Sequence, residues 1–231
     1  MQNLPTAEVY EKEFRYMPWG ILIHEIMDRI AEDVPQEGKV LDLLCGTGYL
    51  LSELKKRRPD ISFVGVDMES EFIDFAMERY DSIEFKAADV LKWTDDRRFD
   101  AVLCTAGLHH LPYEMQDAFV GKVAGFVGEG GFAIIADPYI DDYADEIERK
   151  LASAKLGYEY LAATIRNGGT DDVIDAALTL IGNDIYTVEF KTSVAKNRPV
   201  FSRYFGKVEE HKTWPETDGG GYGDYYFILR R

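Results

Sequence analysis

The chain is short of cysteine, of cations and of long apolar runs, and each shortage excludes something. Its 231 residues hold two cysteines, Cys45 and Cys104, each at a predicted strand end or in the turn after it. That number cannot make a disulfide framework, and a reducing compartment fits. Lys and Arg number 26 against 42 Asp and Glu, a formal net charge of −16. No basic block exists to neutralise phosphates, so no nucleic-acid partner is expected. No signal peptide or membrane-length apolar run opens the chain, so a soluble, cytoplasmic protein is expected, with no membrane partner. Repeats and low-complexity tracts are absent as well. What remains is 46% hydrophobic, enough for one substantial core, and the chain reads as a single domain over 1–231.

One stretch organises the rest. Val40 to Leu44 is a short apolar strand with an acid, Asp42, in its middle; Gly46-Thr47-Gly48 is a tight turn. Tyr49 to Arg58 reads as a helix with Leu50, Leu51 and Leu54 inward, stopped by Pro59. A strand, a glycine turn and a helix N-terminus make a nucleotide-binding corner, because glycine admits close backbone approach and the first helical N–H groups are unpaired. A dinucleotide clamp would want a third glycine where Leu51 stands, and Asp42 would face a diphosphate. A carboxylate there suits a ligand bearing an ammonium or sulfonium.

Downstream, strand and helix patterns alternate. Ile61 to Val66 is a second strand ending in Asp67, 19 residues beyond Gly48, the spacing at which a carboxylate meets both ribose hydroxyls. Asp67 also reads as a helix-initiating acid before Ser70. Ile83 to Ala87 is a short third strand followed by Asp89. Phe99 to Cys104 is a fourth, running into Thr105-Ala106-Gly107-Leu108-His109-His110-Leu111-Pro112. A turn at Gly128 to Gly131 precedes a fifth strand, Phe132 to Pro138. Short connections between these elements imply a parallel, doubly wound α/β sheet, with its ligand outside the carboxyl ends of the strands.

The string Asp42-Leu43-Leu44-Cys45-Gly46-Thr47-Gly48 resembles the first motif of the class I S-adenosylmethionine-dependent methyltransferases, acidic-x-x-x-G-x-G. The resemblance covers residues 38–137 well and 205–231 loosely. It implies a seven-stranded, mostly parallel Rossmann-like sheet with an antiparallel last strand, S-adenosyl-L-methionine as cofactor, and a small-molecule O, N or C nucleophile as methyl acceptor. In its terms Cys45, Gly46, Thr47 and Gly48 cradle the amino-acid part of the cofactor, and Asp42 orients that turn or meets the ammonium. Asp67 takes the ribose and Asp89 the adenine amino group, with Val90 and Met68 on the faces of the ring. Thr105 and Ala106 touch the methionine part. His109 and His110 are the candidate proton acceptors, since a histidine can be neutral near pH 7; His-His-Leu-Pro also recurs in relatives with other acceptors, so one of the pair can be structural. No metal site is expected.

Two segments stand outside the resemblance. Residues 1–37 read as a helical cover, with Trp19 to Asp33 at helical spacing and Tyr10, Tyr16 and Trp19 as a cover over the sheet edge or a lid over the ligand. Residues 138–204 read as a helical insertion. In it Ile147, Leu151, Ala154, Tyr158, Leu161 and Ile165 form an amphipathic stripe, and Ile174, Ala177, Leu178 and Ile181 mark a second helix. Tyr139, Tyr143, Tyr158 and Tyr160 are candidates to line an acceptor pocket, or the insertion is a packing or dimerisation face of a homodimer. Thr187 to Lys191 is open between strand and loop. Lys207 to Trp214 and Tyr225 to Arg230 read as the closing strand pair, joined by a glycine-rich loop. The rival readings are a cofactor-binding sensor or assembly factor without transfer, and a methyltransferase acting on protein or RNA.

Overall fold

The computed structural model describes residues 6–186, 189–216 and 220–231. Alternating burial builds the sheet. Leu41, Leu43, Val64 and Val66 point into one core while Val40 and Phe63 point into the other, the period-2 pattern of strands covered on both faces. The strands are β1 (Lys39–Leu43), β2 (Ser62–Asp67), β3 (Glu84–Ala87), β4 (Phe99–Thr105), β5 (Val127–Tyr139), β6 (Lys207–Trp214) and β7 (Gly223–Arg230). Their order is β3-β2-β1-β4-β5-β7-β6, with β1 to β5 parallel and β7 antiparallel to both β5 and β6. The seven-stranded sheet expected from the sequence is therefore present, and its order reverses between β1 and β4, where a ligand crevice opens.

Helices α1 (Ala7–Tyr16), α2 (Trp19–Asp33), α3 (Tyr49–Arg57) and α4 (Ser70–Arg79) supply one face; α5 (Tyr113–Phe126) and α8 (Val194–Tyr204) supply the other. Helices α6 (Glu146–Arg166) and α7 (Asp171–Ile185) are the body of the insertion. No described helix is long and apolar enough to cross a membrane. The closing strand pair matches the sequence reading; Thr217 to Gly219, in the loop between them, lie outside the described residues, as do Thr187 and Val188.

Two expectations change. The turn foreseen at Gly128 to Gly131 lies inside the first part of β5, where Gly130 takes φ 71 and the register against β4 slips between Phe99 and Ala101. The second concerns α6. Ile147, Leu151, Tyr158 and Ile165 of the expected stripe are exposed, and the helix buries Ala152, Ser153, Leu156, Gly157, Tyr160 and Ala163 instead. Small residues decide this. A β-carbon on Gly157 would stand 2.6 Å from Ile181 of α7, so the two helices approach along their small faces and the bulky apolar face is left outside.

Gly48 caps α3 at φ 75, and a β-carbon there would stand 2.6 Å from the Phe85 ring. Gly48→Ala is expected to destabilise the chain in urea unfolding by about 1–3 kcal/mol of overpacking, added to the backbone cost of its positive φ. Gly130→Ala, also at positive φ but with nothing within 4 Å, should cost only the backbone part, about 1–2 kcal/mol. Equal costs would show that the Phe85 contact is unimportant.

Candidate active site

The site grows from the carboxyl ends of β1, β2 and β4. After β1 the chain turns through Leu44 at φ 63, Gly46 at φ 53 and Gly48 at φ 75; after β4 it turns through Ala106 at φ 51. Leu44 and Ala106 are non-glycine residues in the left-handed region, each costing roughly 1–3 kcal/mol. Backbone bonds hold both: Leu44 N–H donates to Val66 O and Ala106 N–H to Ala136 O, each at 2.8 Å. The Asp67 carboxylate accepts from the Gly46 N–H at 2.8 Å and the Glu69 N–H at 2.9 Å. It thereby ties the glycine turn to the end of the neighbouring strand.

Beneath this turn lie polar atoms that the fold itself leaves unsatisfied. Asp42 Oδ1, Thr47 Oγ1 and Thr105 Oγ1 are buried without a hydrogen-bond partner. An unpaired buried polar atom costs about 1–3 kcal/mol, so three beside one hollow suit a ligand with both donor and acceptor groups. Burial, and then the nearby Asp67, push Asp42 up to about 8; a cation placed there would relieve both. The donor set fits the ammonium and carboxylate of S-adenosylmethionine. The hollow lined by Asp42, Thr47, Thr105, Tyr10 and Trp19 measures only about 20 Å³. Tyr10, Phe14, Trp19 and Tyr49 fill the ground above it, with the Phe14 ring 4.1 Å from Trp19 and 4.2 Å from Tyr49. A ligand of nucleoside size therefore requires these rings to shift.

The structure brings Asp42, Cys45, Gly46, Thr47, Gly48, Asp67, Thr105 and Ala106 to one end of the sheet. The adenine residues are more dispersed. Met68 is exposed and Val90 is packed in the core with Val64 and Val66, while Asp89 is half-buried and bonded to Lys92 and to the Leu91 N–H. Of the four insertion tyrosines, only Tyr160 lines the cavity described next; Tyr139 belongs to the α5 face of the core and Tyr158 points outward.

Beside Ala106 a cavity of about 370 Å³ opens between α1, α6 and α7, with His109, His110, Tyr160 and Glu189 among its walls. His109 is buried, and its ring is oriented by a residue the sequence reading passed over. Asp137, at the end of β5, accepts from His109 Nδ1 at 2.7 Å and from the His109 backbone N–H at 3.0 Å. A carboxylate only accepts, so Nδ1 carries a proton; in the neutral ring Nε2 is then the lone-pair atom. Asp137 had a readable signal, as another acid ending a buried strand. Glu189, Lys191 and Asp184 did not, because they reach the site from the insertion. His109 Nε2 is 3.6 Å from Glu189 Oε2, and Lys191 Nζ bridges Glu189 at 2.5 Å and Asp184 at 2.7 Å. Although burial opposes it, Lys191 holds Glu189 well below the usual carboxylate range. His109, His110 and Glu189 have ligand atoms within 4.8 Å of one another, the spacing of a metal cluster. Here the Lys191 ammonium already serves as the counter-cation. Burial, then His109, lower His110 to about 3, so that ring stays neutral.

Residues 40–131 match a family described as a methyltransferase domain. Among curated relatives, the carboxy-S-adenosyl-L-methionine synthase of Campylobacter hominis is 28% identical over 49% of this chain and 50% of its own. The fatty-acid O-methyltransferase of Mycolicibacterium smegmatis is 33% identical over 54% and 47%. The chain thus spans about half the length of the curated relatives it matches. Solved structures align over nearly all of it. A plantazolicin methyltransferase with S-adenosylhomocysteine gives TM-score 0.65 at 13% identity, covering 97% of this chain and 90% of that one. The magnesium protoporphyrin IX methyltransferase of Synechocystis PCC 6803, with bound S-adenosylmethionine, gives 0.59 at 13% identity over 93% and 80%; these show the shared fold.

The buried Asp42 yields a pH prediction. Its folded value, about 8, lies above the ordinary carboxyl value of 3.8, so its contribution to stability is full below that unfolded value and gone once pH has risen through 8. The melting temperature of the ligand-free chain is expected to fall between pH 5 and 9, and to fall less in Asp42→Asn; an unchanged slope in the variant would show that Asp42 is not held in its protonated form. Motif, sheet order and the matched segment agree: residues 40–131 match a methyltransferase domain, and the chain has the fold of S-adenosylmethionine-dependent methyltransferases.

Proposed function

We propose that the chain transfers the methyl group of S-adenosylmethionine to a small-molecule acceptor held in the cavity between α1, α6 and α7. The observation that carries this reading is the juxtaposition of that cavity with Ala106 and the Asp137-oriented His109, at the strand end where the reactive part of the cofactor belongs. A sensor that only binds cofactor has no use for a second cavity with an oriented base in it. The names of relatives such as the fatty-acid O-methyltransferase also favour small acceptors, and a net charge of −16 disfavours RNA.

When bound, the cofactor supplies an activated methyl group on a sulfonium sulfur. The chain's own residues do the rest. Asp42, Thr47 and Thr105 hold the amino-acid part through the atoms left unpaired in the fold, and Asp67 takes the ribose. Asp89, with Met68 and Val90, is assigned the adenine. Apolar walls exclude water, and positioning of this kind is worth up to ~7–11 kcal/mol in favourable cases. His109 Nε2 accepts the acceptor's proton; Asp137 and Glu189 on either side of the ring balance the charge it gains. His110, kept neutral, helps shape the floor.

The exposed stripe on α6 supports the homodimer. Ile147, Leu151, Ala154, Tyr158, Leu161 and Ile165 alternate steps of four and three, the repeat of a two-helix seam. The set reads the same in both directions about position 156, so an antiparallel second copy sets Ile147 against Ile165 and brings acidic Glu146 over basic Arg166. Exposures of 71%, 66%, 63% and 54% at Ile147, Leu151, Tyr158 and Ile165 amount to about 500 Å² per copy, the size of a monomer's largest apolar patch, which is often functional.

His109→Asn and Asp137→Asn are each expected to slow S-adenosylhomocysteine formation by about 10²–10⁴-fold while calorimetric binding of S-adenosylhomocysteine is kept; undiminished rates would remove the base assignment. Asp67→Ala should lose cofactor binding while remaining folded. By analytical ultracentrifugation the unmodified chain should sediment as a dimer and Leu151→Glu with Tyr158→Glu as a monomer. An unmodified chain that stays monomeric would refute the seam.

A further inference from the structure

The acceptor cavity carries a charge pattern that the transfer reaction alone does not call for. Glu13, on α1, lines it and is only 5% exposed. Its carboxyl makes no hydrogen bond or ion pair among the described residues. Burial and the facing Glu189 push it up to about 8. The other buried carboxylates in these walls, Asp184 and Glu189, share the single ammonium of Lys191. The lining thus holds more carboxyl groups than cations, and Asp175 and Asp172 stand further out in the same cavity, Asp172 bridged to Lys12. Aromatic side chains complete the lining: Tyr10 and Trp19, packed against each other, and Tyr160 from α6.

Resting on the function proposed above, we infer that the methyl acceptor is a basic amine, bound as its ammonium ion between Glu13 and the Glu189 side of the cavity. Each feature points the same way. A buried carboxyl aimed into a cavity without a cation of its own carries a desolvation cost that a bound ammonium offsets. Aromatic faces attract cations and give nothing comparable to anions. A carboxylate acceptor would add a like charge to a low-dielectric enclosure that already has too many. A neutral alcohol would leave Glu13 as it is.

The chemistry then balances with the residues present. The ammonium R–NH₃⁺ gives one proton to His109 Nε2, which passes it to solvent. The freed nitrogen lone pair forms the N–C bond to the methyl carbon as the C–S bond breaks. Its electron pair goes to sulfur, leaving S-adenosylhomocysteine and R–NH₂CH₃⁺.

The test uses the full chain saturated with S-adenosylhomocysteine. Calorimetry compares hexylamine and benzylamine with hexanoate and benzoate and with hexan-1-ol and benzyl alcohol, pairs that share a skeleton and differ in the polar group. At least one amine is expected to bind tenfold or more tightly than its acid and alcohol counterparts. Glu13→Gln, which keeps shape and removes charge, should weaken that amine tenfold or more and leave S-adenosylhomocysteine affinity within twofold. Asp175→Asn, an exposed acid of the same cavity, should change amine binding by less than twofold. The inference is overturned if acids or alcohols bind as well as the amines, if no amine binds, or if Glu13→Gln leaves amine affinity unaltered. A chain that fails to bind S-adenosylhomocysteine at all would instead overturn the methyltransferase reading on which it rests.

Discussion

The bond between the Gly46 N–H and the Asp67 carboxylate is the point on which the site depends. It is buried and 2.8 Å long, and it joins the turn after β1 to the end of β2. Without it, a glycine turn flanked by Leu44 at positive φ would have little to hold its shape. With it, Asp67 cannot swing away, because its other oxygen accepts from the Glu69 N–H at the start of α4. One carboxylate therefore sets the turn, the second strand end and a helix start together. Its position near Asp42 has a consequence: two acids sit within one buried region, and Asp67 makes ionisation of Asp42 harder. The fold tolerates this electrostatic penalty because the rest of the sheet is well packed, and a cationic ligand removes it.

The second constraint ties the insertion to the sheet. Phe190 N–H donates to His109 O at 2.7 Å, and Gln116 Nε2 donates to Phe190 O at 3.1 Å. Glu189 and Lys191 flank that residue and project into the histidine cluster, where Lys191 meets Asp184 at the end of α7. Buried ion pairs of this kind contribute little net stability, since desolvation cancels much of the attraction, but breaking one strands a charge. Their effect here is positional. They fix where the insertion stands relative to β4 and β5, and so where the cavity lies.

Legibility in the sequence followed the range of the interactions. Asp42, the Gly46–Gly48 turn, Asp67 and the succession of strands along the chain could be read because each depends on a strand and the few residues after it. The closing pair β6 and β7 could be read for the same reason. Asp137 went unread although it ends a buried strand, because its partner His109 lies 28 residues away. Glu13, Glu189 and Lys191 carry no local signature; only tertiary packing brings α1 and the insertion over the same strand ends. The α6 stripe shows the reverse failure. Its periodicity was plain, but periodicity tells which residues share a face and not which face turns inward. Gly157 and its small neighbours decided that.

Tyr10 and Trp19 are walls of both hollows, the small one above Asp42 and the large one beside His109. Any shift of α1 that admits the cofactor therefore reshapes the larger cavity, the one proposed for the acceptor, as well. Two ligands that share a movable wall are linked thermodynamically: whatever factor the first contributes to the affinity of the second, the second must return to the first. The order in which they arrive can be chosen by kinetics, but the energy of that mutual preference belongs to two rings, Tyr10 on α1 and Trp19 at the start of α2.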